Sequence, residues 1–497
     1  MIRVMAVALG LGGLACIGFG SRGPGGRRRH REAAFATRAG LGSLVVRRGA
    51  PDRLPLGRLA SVRWRPTRTR LAAPAGDSVL IIGPTRSGKT SSLVLPALLS
   101  WEGPVVAASV KDDLVRGAGA WRRSQGEVTV LDPSSDHGSL STRFDPVPLS
   151  STFHDARRLA AELVGSSAVG LPGASSESAF WAQLASKHLA VLLHGAHLDG
   201  GDLETVARWV DLRDERSPSA VLDAAGDPRA IEAWAAAMAR DERQLGSVYA
   251  TIESILDPLL VSDGRASSNG VASTIDPVSL LTGSGTLFLA APAHDQRRFR
   301  PVFTAVTTEI LTAAFTLARA QGGRLRRPLL VMLDEAAAIA PLAELDVVAA
   351  TCASHGITLV TCFQDIAQIR ARYGERTATV INNHRTRVFL AGLADPAASE
   401  ILGSLAGSAT ERPGTLRRGD SGPLERRPLI EAHELRSQRP HTALVVSGRL
   451  PVTRVVLEAH HQHPVVAARG PRDRDVDRRE SNGPSRWRWP RWVCCDS

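Results

Sequence analysis

Short apolar runs alternate with longer segments of helical periodicity along most of this chain. The strand-like runs cover residues 79–82, 104–109, 127–132, 285–291, 328–333, 356–363, 385–391, 442–447 and 453–458. Such runs are typical of strands buried on both faces of a sheet, and helices between them bring the strands parallel. The pattern therefore predicts an α/β fold with a mostly parallel, doubly wound sheet.

The periodicity changes between residues 151 and 270. Apolar residues there recur at spacings of three and four, and no strand-like run intervenes. Five helical segments are predicted, at 154–164, 177–197, 202–212, 228–240 and 245–260, followed by a loop at 262–274. We expect an all-helical insertion (151–270) that separates the first part (71–150) of one α/β domain from its second part (271–462).

The first residues of the chain have a different character. Residues 4–20 are apolar and uncharged, and a cluster rich in arginine follows at 27–31. This arrangement predicts a membrane anchor at 1–21, a basic juxtamembrane linker at 22–70 that leads into a sheet edge, and a cytoplasmic location for the rest. A cleaved signal peptide is the alternative, because Leu14-Ala15-Cys16 resembles a lipoprotein cleavage site.

Charge and composition narrow the choice of partner. The formal net charge is +12 among 497 residues, which favours an anionic partner such as nucleic acid or an acidic membrane surface. Five cysteines form no disulfide framework and no C-x-x-C pair, so we expect no metal site among them. His460, His461 and His463 are crowded enough to suggest a metal, but a solvated loop is the preferred interpretation. The tail at 463–497, which is rich in arginine and tryptophan, is expected to be disordered.

A glycine-rich loop follows the first buried strand and leads into an apolar helix. It has the form G-x-x-x-x-G-K-T of a Walker A motif and consists of Gly83, Pro84, Thr85, Arg86, Ser87, Gly88, Lys89 and Thr90. The two glycines let the backbone N–H groups surround a phosphate chain at the helix N-terminus. Lys89 would bind the β- and γ-phosphates, and Thr90 would offer its hydroxyl to Mg²⁺. ATP and Mg²⁺ are therefore the expected ligands.

Two later strands end in polar residues that suit the same chemistry. The strand at 328–333 leads directly into Asp334 and Glu335, which is a Walker B pattern. Asp334 would hold Mg²⁺ through water, and Glu335 would orient and polarise the attacking water. Gln364 ends the strand at 356–363, where it can sense the γ-phosphate or the water.

With these motifs in order, the chain resembles the coupling proteins of type IV secretion systems, the TraG/VirD-type conjugative DNA transfer ATPases. The resemblance covers residues 78–458. It rests on the Walker A loop, Ser109-x-Lys111, Leu131-Asp-Pro133, Phe144-Asp-Pro-Val147, Leu333-Asp-Glu-Ala336, and the run Gln364, Gln368, Tyr373-Gly374, Asn382-Asn383, Arg385-Thr-Arg387 and Gly392. The helical insertion also lies where that family has its all-α domain.

The resemblance implies a hexameric, RecA-type motor at the inner face of the cell membrane. Such motors receive a relaxase bound to single-stranded DNA and pass it to a secretion channel, using ATP. Lys89, Glu335 and Gln364 carry over as catalytic residues, and Arg385 and Arg387 are candidates for an arginine that acts on a neighbouring subunit's nucleotide. The family usually has two membrane helices, whereas this sequence shows one short candidate.

Two other functions stay open at this stage. The first is a membrane receptor for a secreted protein client, with nucleotide acting as a switch and the helical insertion as the docking surface. The second is a double-strand DNA translocase of the segregation class, which the run from Gln364 to Gly392 disfavours.

Overall fold

The computed structural model describes residues 34–46, 51–134, 137–167, 176–260, 273–292, 294–411, 425–462 and 469. The predicted anchor at 1–21 and all but one residue of the tail at 463–497 lie outside these residues. The described chain falls within one compact unit, Ala33–Ser497.

Strands and helices are numbered in chain order. The strands are β1 (Val45–Val46), β2 (Pro55–Ala60), β3 (Pro66–Ala72), β4 (Val79–Ile82), β5 (Val105–Ser109), β6 (Val128–Leu131), β7 (Thr142–Arg143), β8 (Ser273–Thr274), β9 (Thr286–Ala290), β10 (Leu329–Leu333), β11 (Ile357–Phe363), β12 (Thr386–Leu390), β13 (Ser408–Glu411), β14 (Glu425–Pro428), β15 (Thr442–Ser447) and β16 (Thr453–Val456). The helices are α1 (Leu95–Ser100), α2 (Asp113–Gln125), α3 (Phe153–Ser166), α4 (Ser176–Leu198), α5 (Leu203–Asp211), α6 (Arg216–Ala225), α7 (Pro228–Met238), α8 (Glu242–Leu260), α9 (Pro277–Thr282), α10 (Gln296–Ala320), α11 (Ala336–Ile339), α12 (Leu345–His355), α13 (Ile366–Tyr373), α14 (Thr377–Asn383), α15 (Pro396–Ala406) and α16 (Ala432–Ser437).

A twelve-stranded mixed sheet runs through the centre of the molecule. Its order is β1-β3-β2-β16-β15-β12-β4-β11-β10-β5-β9-β6. The seven strands from β12 to β6 are all parallel, and they are buried on both faces because helices cover them. The other five strands extend the sheet antiparallel from β12. The predicted α/β architecture with a mostly parallel central sheet is confirmed.

The amino-terminal strands differ from the expected linker at 22–70. β2 pairs with both β3 and β16, so this segment belongs to the sheet instead of only leading to its edge. Leu41, Leu44, Leu54 and Leu56 are at most 1% exposed. The physical reason is the apolar area of these leucines, whose burial outweighs the weak strand propensity of the surrounding Gly, Pro and Arg.

Between β7 and β8 the sequence pattern predicts five helical segments. The described residues there form α3 to α8, one helix more than the sequence pattern indicates. The additional helix is α6, which buries Pro218 and Leu222. Asp-Pro pairs begin several helices of the fold: Asp227 and Asp395 each cap the backbone N–H groups of a helix whose first residue is proline.

An ionic cluster joins α3 to the long helix α10. Arg158 on α3 donates two hydrogen bonds to the carboxylate of Glu309 on α10, and the Nη2 to Oε2 bond is 3.0 Å long. Glu162 lies one turn further along α3 and is also within reach of Arg158. Burial and the nearby charge of Glu309 raise the pKa of Glu162 to about 8.

Helix α10 is also the one described helix that is long and apolar enough to cross a membrane. In its most apolar 18-residue window, 67% of the residues are buried inside the protein. That degree of burial is typical of a core helix in a large sheet protein.

Candidate nucleotide-binding site

Three neighbouring parallel strands bring the predicted site residues together. β4 lies beside β11, and β11 lies beside β10, with Ile82 opposite Phe363 and Leu333 opposite Thr361. Because the three strands run in the same direction, their carboxyl ends open onto one edge of the sheet. The Walker A loop, Gln364 and the pair Asp334 and Glu335 therefore share that edge.

The loop after β4 has the backbone geometry that its glycines allow. Gly88 has a φ of +89° and Arg86 a φ of +63°, both in the left-handed region. Gly83 is constrained by space instead, because a Cβ atom there would lie 2.7 Å from Cβ and Cδ1 of Leu390. The helix that follows begins with a π-helical turn, Thr90–Val94, which continues into α1.

Lys89 lies within the loop and is only 7% exposed. Its Nζ donates to the carbonyl oxygens of Gly83 and Pro84, at 2.5 and 3.0 Å. The ammonium is thus oriented by its own loop at the place where phosphate oxygens are expected.

Asp334 is buried directly opposite the start of the loop helix. Thr90 Oγ1 donates to its Oδ2 at 2.9 Å, while Oδ1 is buried without a hydrogen-bond partner among the described residues. Burial raises the pKa of Asp334 to about 6, although the Thr90 hydroxyl and the Lys89 charge oppose the shift. A hydroxyl beside a buried carboxylate with one uncompensated oxygen is a donor set that fits Mg²⁺.

Glu335 and Gln364 face each other across the strand ends. Glu335 has a φ of +63°, an unusual conformation for a residue with a side chain, and its carboxylate is half-buried. Gln364 Nε2 donates to Glu335 Oε1 over 3.4 Å, and the backbone N–H of Gln364 donates to Gln368 Oε1 at 3.0 Å. Gln368 thereby fixes the position of Gln364, a contribution that the sequence alone does not assign to it.

The two candidate arginines lie at the amino-terminal ends of the parallel strands, away from the Walker A loop. β12 runs parallel to β4, and Thr386 is opposite Val79, so Arg385 and Arg387 are near the strand starts. Arg385 is exposed, whereas Arg387 is 8% exposed, with its Nη1 3.5 Å from Asn382 Oδ1. The structure does not bring either residue to the phosphate loop of its own chain.

Two histidines lie beside the loop, and no sequence motif assigns them to it. A methyl group on Gly88 would lie 3.3 Å from His441 Nδ1, so that imidazole covers the glycine. The ring of His460 hydrogen-bonds to the backbone of Ser91. His460 begins the turn His460–Gln462 and is partly exposed, although its Nδ1 is buried, and His461 is exposed.

The sheet order, the loop and the carboxylates define an α/β P-loop NTPase. The chain belongs to the family described as Type IV secretory system Conjugative DNA transfer, whose model matches residues 60–453. The resemblance inferred from the motifs is therefore confirmed.

Similar proteins match different shares of the chain. Two Escherichia coli proteins, each named conjugal transfer protein TraG, are 26% identical to it over 367 and 375 residues, covering 67% of this chain and 55% of each relative. Protein VirD4 of Rhizobium rhizogenes is 32% identical over 100 residues, which cover 19% of this chain and 15% of the relative. The chain spans about half the length of the TraG relatives.

Solved structures show the same fold. The bacterial conjugative coupling protein TrwBdeltaN70, in a trigonal form with sulphate, has a TM-score of 0.62 at 17% identity and covers 86% of this chain and 93% of its own. The plasmid coupling protein TrwB in complex with ADP and Mg²⁺ has a TM-score of 0.58 at 18% identity, with coverages of 78% and 87%.

Proposed function

We propose that this protein is a membrane-anchored ATPase that recruits relaxase-bound single-stranded DNA and drives it to a type IV secretion channel. The observation that carries the proposal is the shared edge of β4, β11 and β10, where Lys89, Thr90, Asp334, Glu335 and Gln364 converge. The family membership and the nucleotide complexes of TrwB support it.

In the proposed reaction, Lys89 and the N–H groups of the Walker A loop bind the phosphates of ATP. Thr90 and Asp334 hold Mg²⁺, which when bound neutralises charge on the phosphates. Glu335 orients the attacking water and accepts its proton. Gln364 contacts Glu335 and reports the state of the γ-phosphate to the rest of the motor.

Nucleic-acid binding is proposed from charge and family together. A net charge of +12 suits contacts to phosphates, so affinity for single-stranded DNA is expected to fall steeply with salt and to depend weakly on sequence. We further propose a homo-hexamer at the cell membrane, anchored through residues 1–21. In this arrangement α3 to α8 form an all-α domain and Arg385 faces a neighbouring subunit's nucleotide.

The deciding experiment measures ATP hydrolysis by the full-length protein in detergent, with and without single-stranded DNA, at low and moderate salt. Lys89→Ala and Glu335→Gln test the site, and Lys187→Ala, an exposed lysine on α4, is the matched control. DNA should stimulate turnover in the wild type and the control and in neither site variant. DNA-independent turnover, or activity retained by Lys89→Ala, would overturn the proposal.

The receptor alternative predicts a different result. A protein client would be captured without nucleic acid, and its capture would be unaffected by Lys89→Ala. A double-strand translocase of the segregation class would instead be stimulated by duplex DNA in preference to single strands.

A further inference from the structure

Two segments from the antiparallel part of the sheet reach the phosphate loop. β15 runs antiparallel to β12, so its start at Thr442 lies near the carboxyl end of β12. β16 is antiparallel to β15, and its end at Val456 is opposite Thr442. The residue before β15, His441, and the turn after β16, His460–Gln462, therefore arrive at the same sheet edge as the Walker A loop.

The first of these histidines has an unusual backbone. His441 has a φ of +59°, and its carbonyl accepts a 2.8 Å hydrogen bond from the N–H of Leu457. Its imidazole is exposed yet lies against Gly88, with Nδ1 3.3 Å and Cε1 3.7 Å from the position of a methyl group there. A strained backbone that holds an accessible ring at a ligand loop is a pattern associated with function.

The second histidine is held by the loop helix itself. The ring of His460 hydrogen-bonds to the backbone of Ser91, the residue after the Walker A threonine, and its buried Nδ1 has no hydrogen-bond partner among the described residues. The ring of His461 packs edge-on against it, with centroids 5.4 Å apart. Two imidazoles, those of His441 and His460, thus border the loop between Gly88 and Ser91, and His461 packs behind His460.

The histidines and the carboxylates lie on opposite sides of the Walker A loop, and this arrangement indicates which part of the nucleotide the histidines contact. Asp334, Glu335 and Gln364 follow β10 and β11, on one side of β4, whereas β12, β15 and β16 lie on its other side. The γ-phosphate must point towards Glu335, because that carboxylate is the proposed activator of water. The nucleoside end of the ligand must therefore leave the loop on the opposite side, where the imidazoles lie.

We infer that His441 and His460, supported by His461, form the wall that contacts the ribose and base of the bound nucleotide. Imidazole rings can stack on a base of any identity, and their nitrogens can bond a ribose hydroxyl. This inference rests on the proposed nucleotide site and adds the residues that distinguish a nucleotide from a bare phosphate chain.

The test compares two ligands that differ only in the nucleoside. Binding of a non-hydrolysable ATP analogue and of inorganic tripolyphosphate, each with Mg²⁺, is measured by calorimetry on the full-length protein in detergent. The variants are His441→Ala, His460→Ala and the double substitution. His154→Ala, an exposed histidine on α3, is the matched control. The double variant should bind the ATP analogue about tenfold more weakly while its affinity for tripolyphosphate is unchanged.

Each other result has a defined meaning. Equal losses for both ligands would show that the histidines only support the loop, and no loss for either would show that they make no contact; both results overturn the inference. A wild-type protein that binds tripolyphosphate as well as the nucleotide would overturn it too, while leaving the phosphate loop intact. A wild type that binds neither ligand would overturn the proposed function itself. Retained tripolyphosphate binding also demonstrates that a variant is folded.

Discussion

Thr90 Oγ1 and Asp334 Oδ2 are joined by a 2.9 Å hydrogen bond across 244 positions of the sequence. The bond connects the start of the loop helix to the end of β10, and it leaves Oδ1 of Asp334 buried without a partner among the described residues. A carboxylate oxygen in that position is costly to the fold unless a cation or a proton compensates it. The buried Oδ1 thus lowers the stability of the fold, and the Mg²⁺ of the proposed reaction would compensate it.

The Thr90 hydroxyl can be removed without changing much else. Thr90→Ala should raise the Mg²⁺ concentration required for half-maximal ATP hydrolysis by about tenfold or more, because one oxygen ligand is lost. Thr90→Ser keeps the hydroxyl and should stay close to the wild type. The measurement is a Mg²⁺ titration of steady-state turnover. Equal behaviour of the alanine and serine variants would contradict a ligand role for the hydroxyl.

Gly83 tests the close approach between the loop and β12. In Gly83→Ala the new Cβ would lie 2.7 Å from Leu390, so the loop must shift, and we expect loss of nucleotide binding. Gly403→Ala on α15 is the matched control, since no atom lies within 4 Å of its new Cβ. Because alanine favours helix more than glycine does, Gly403→Ala should leave the free energy of unfolding unchanged or raise it by up to about 1 kcal/mol. Titration with a fluorescent ATP analogue and thermal melting distinguish the two. Normal binding by Gly83→Ala would show that the loop tolerates the displacement.

The sequence predicts most of the candidate nucleotide-binding site because short contiguous motifs carry its residues. A full Walker A loop and a carboxylate pair each follow a recognisable buried strand, and parallel strands place their carboxyl ends together. The placement of His441 and His460 beside the loop depends instead on two antiparallel strands that begin 52 and 63 residues after the end of β12, and no local pattern shows that they return to the loop.

The sequence does not indicate β2 and β3, for a different reason. Residues 34–60 carry the composition of a linker, and their buried leucines do not alternate regularly with polar residues. A basic residue in a linker is expected to be exposed, but the guanidinium of Arg53 donates hydrogen bonds to the carbonyls of Ala72 and Ala73. Tertiary contacts decide the structure of this segment, and a single sequence does not display them.

Truncation tests that conclusion. A chain that begins at residue 63 lacks β1, β2 and the leucines 41, 44, 54 and 56, each of which contributes about 1.5–3 kcal/mol when fully buried. We expect it to melt at a much lower temperature than a chain that begins at residue 34, or not to fold. Circular dichroism melting curves of the two chains make the comparison. Coincident curves would show that β1 and β2 are dispensable for the sheet.

Arg385 and Arg387 differ in solvent exposure. Arg385 is exposed and available to a neighbouring subunit, whereas Arg387 is buried and its loss should mainly destabilise the fold. Arg385→Ala should therefore abolish hydrolysis but keep nucleotide binding. Mixing it with Lys89→Ala should restore partial activity, because hybrid assemblies contain sites with an intact loop and an intact arginine. Turnover of the mixture that stays at the level of the separate variants would exclude a role in trans for Arg385.

The cluster of Arg158, Glu162 and Glu309 predicts a pH dependence of stability. Burial, together with the charge of Glu309, raises the pKa of Glu162 to about 8, from an ordinary value of 4.5. Between those values the unfolded chain has released this proton and the folded chain retains it, so Glu162 lowers the free energy of unfolding progressively as pH rises from about 5 to 8. Above about pH 8 both states are ionised and the loss stays constant.

Glu162→Gln removes that titration while preserving shape. The variant should match the wild type in denaturant unfolding at pH 5, gain stability relative to it up to pH 8, and keep a constant advantage above that pH. Glu253→Gln, an exposed glutamate on α8, should follow the wild type throughout. The cluster joins α3 to α10, so the added stability of Glu162→Gln is expected to strengthen the packing of α3 on α10. An advantage of Glu162→Gln that is the same at pH 5 and pH 8 would show that Glu162 ionises normally in the folded protein and that the substitution acts through packing alone.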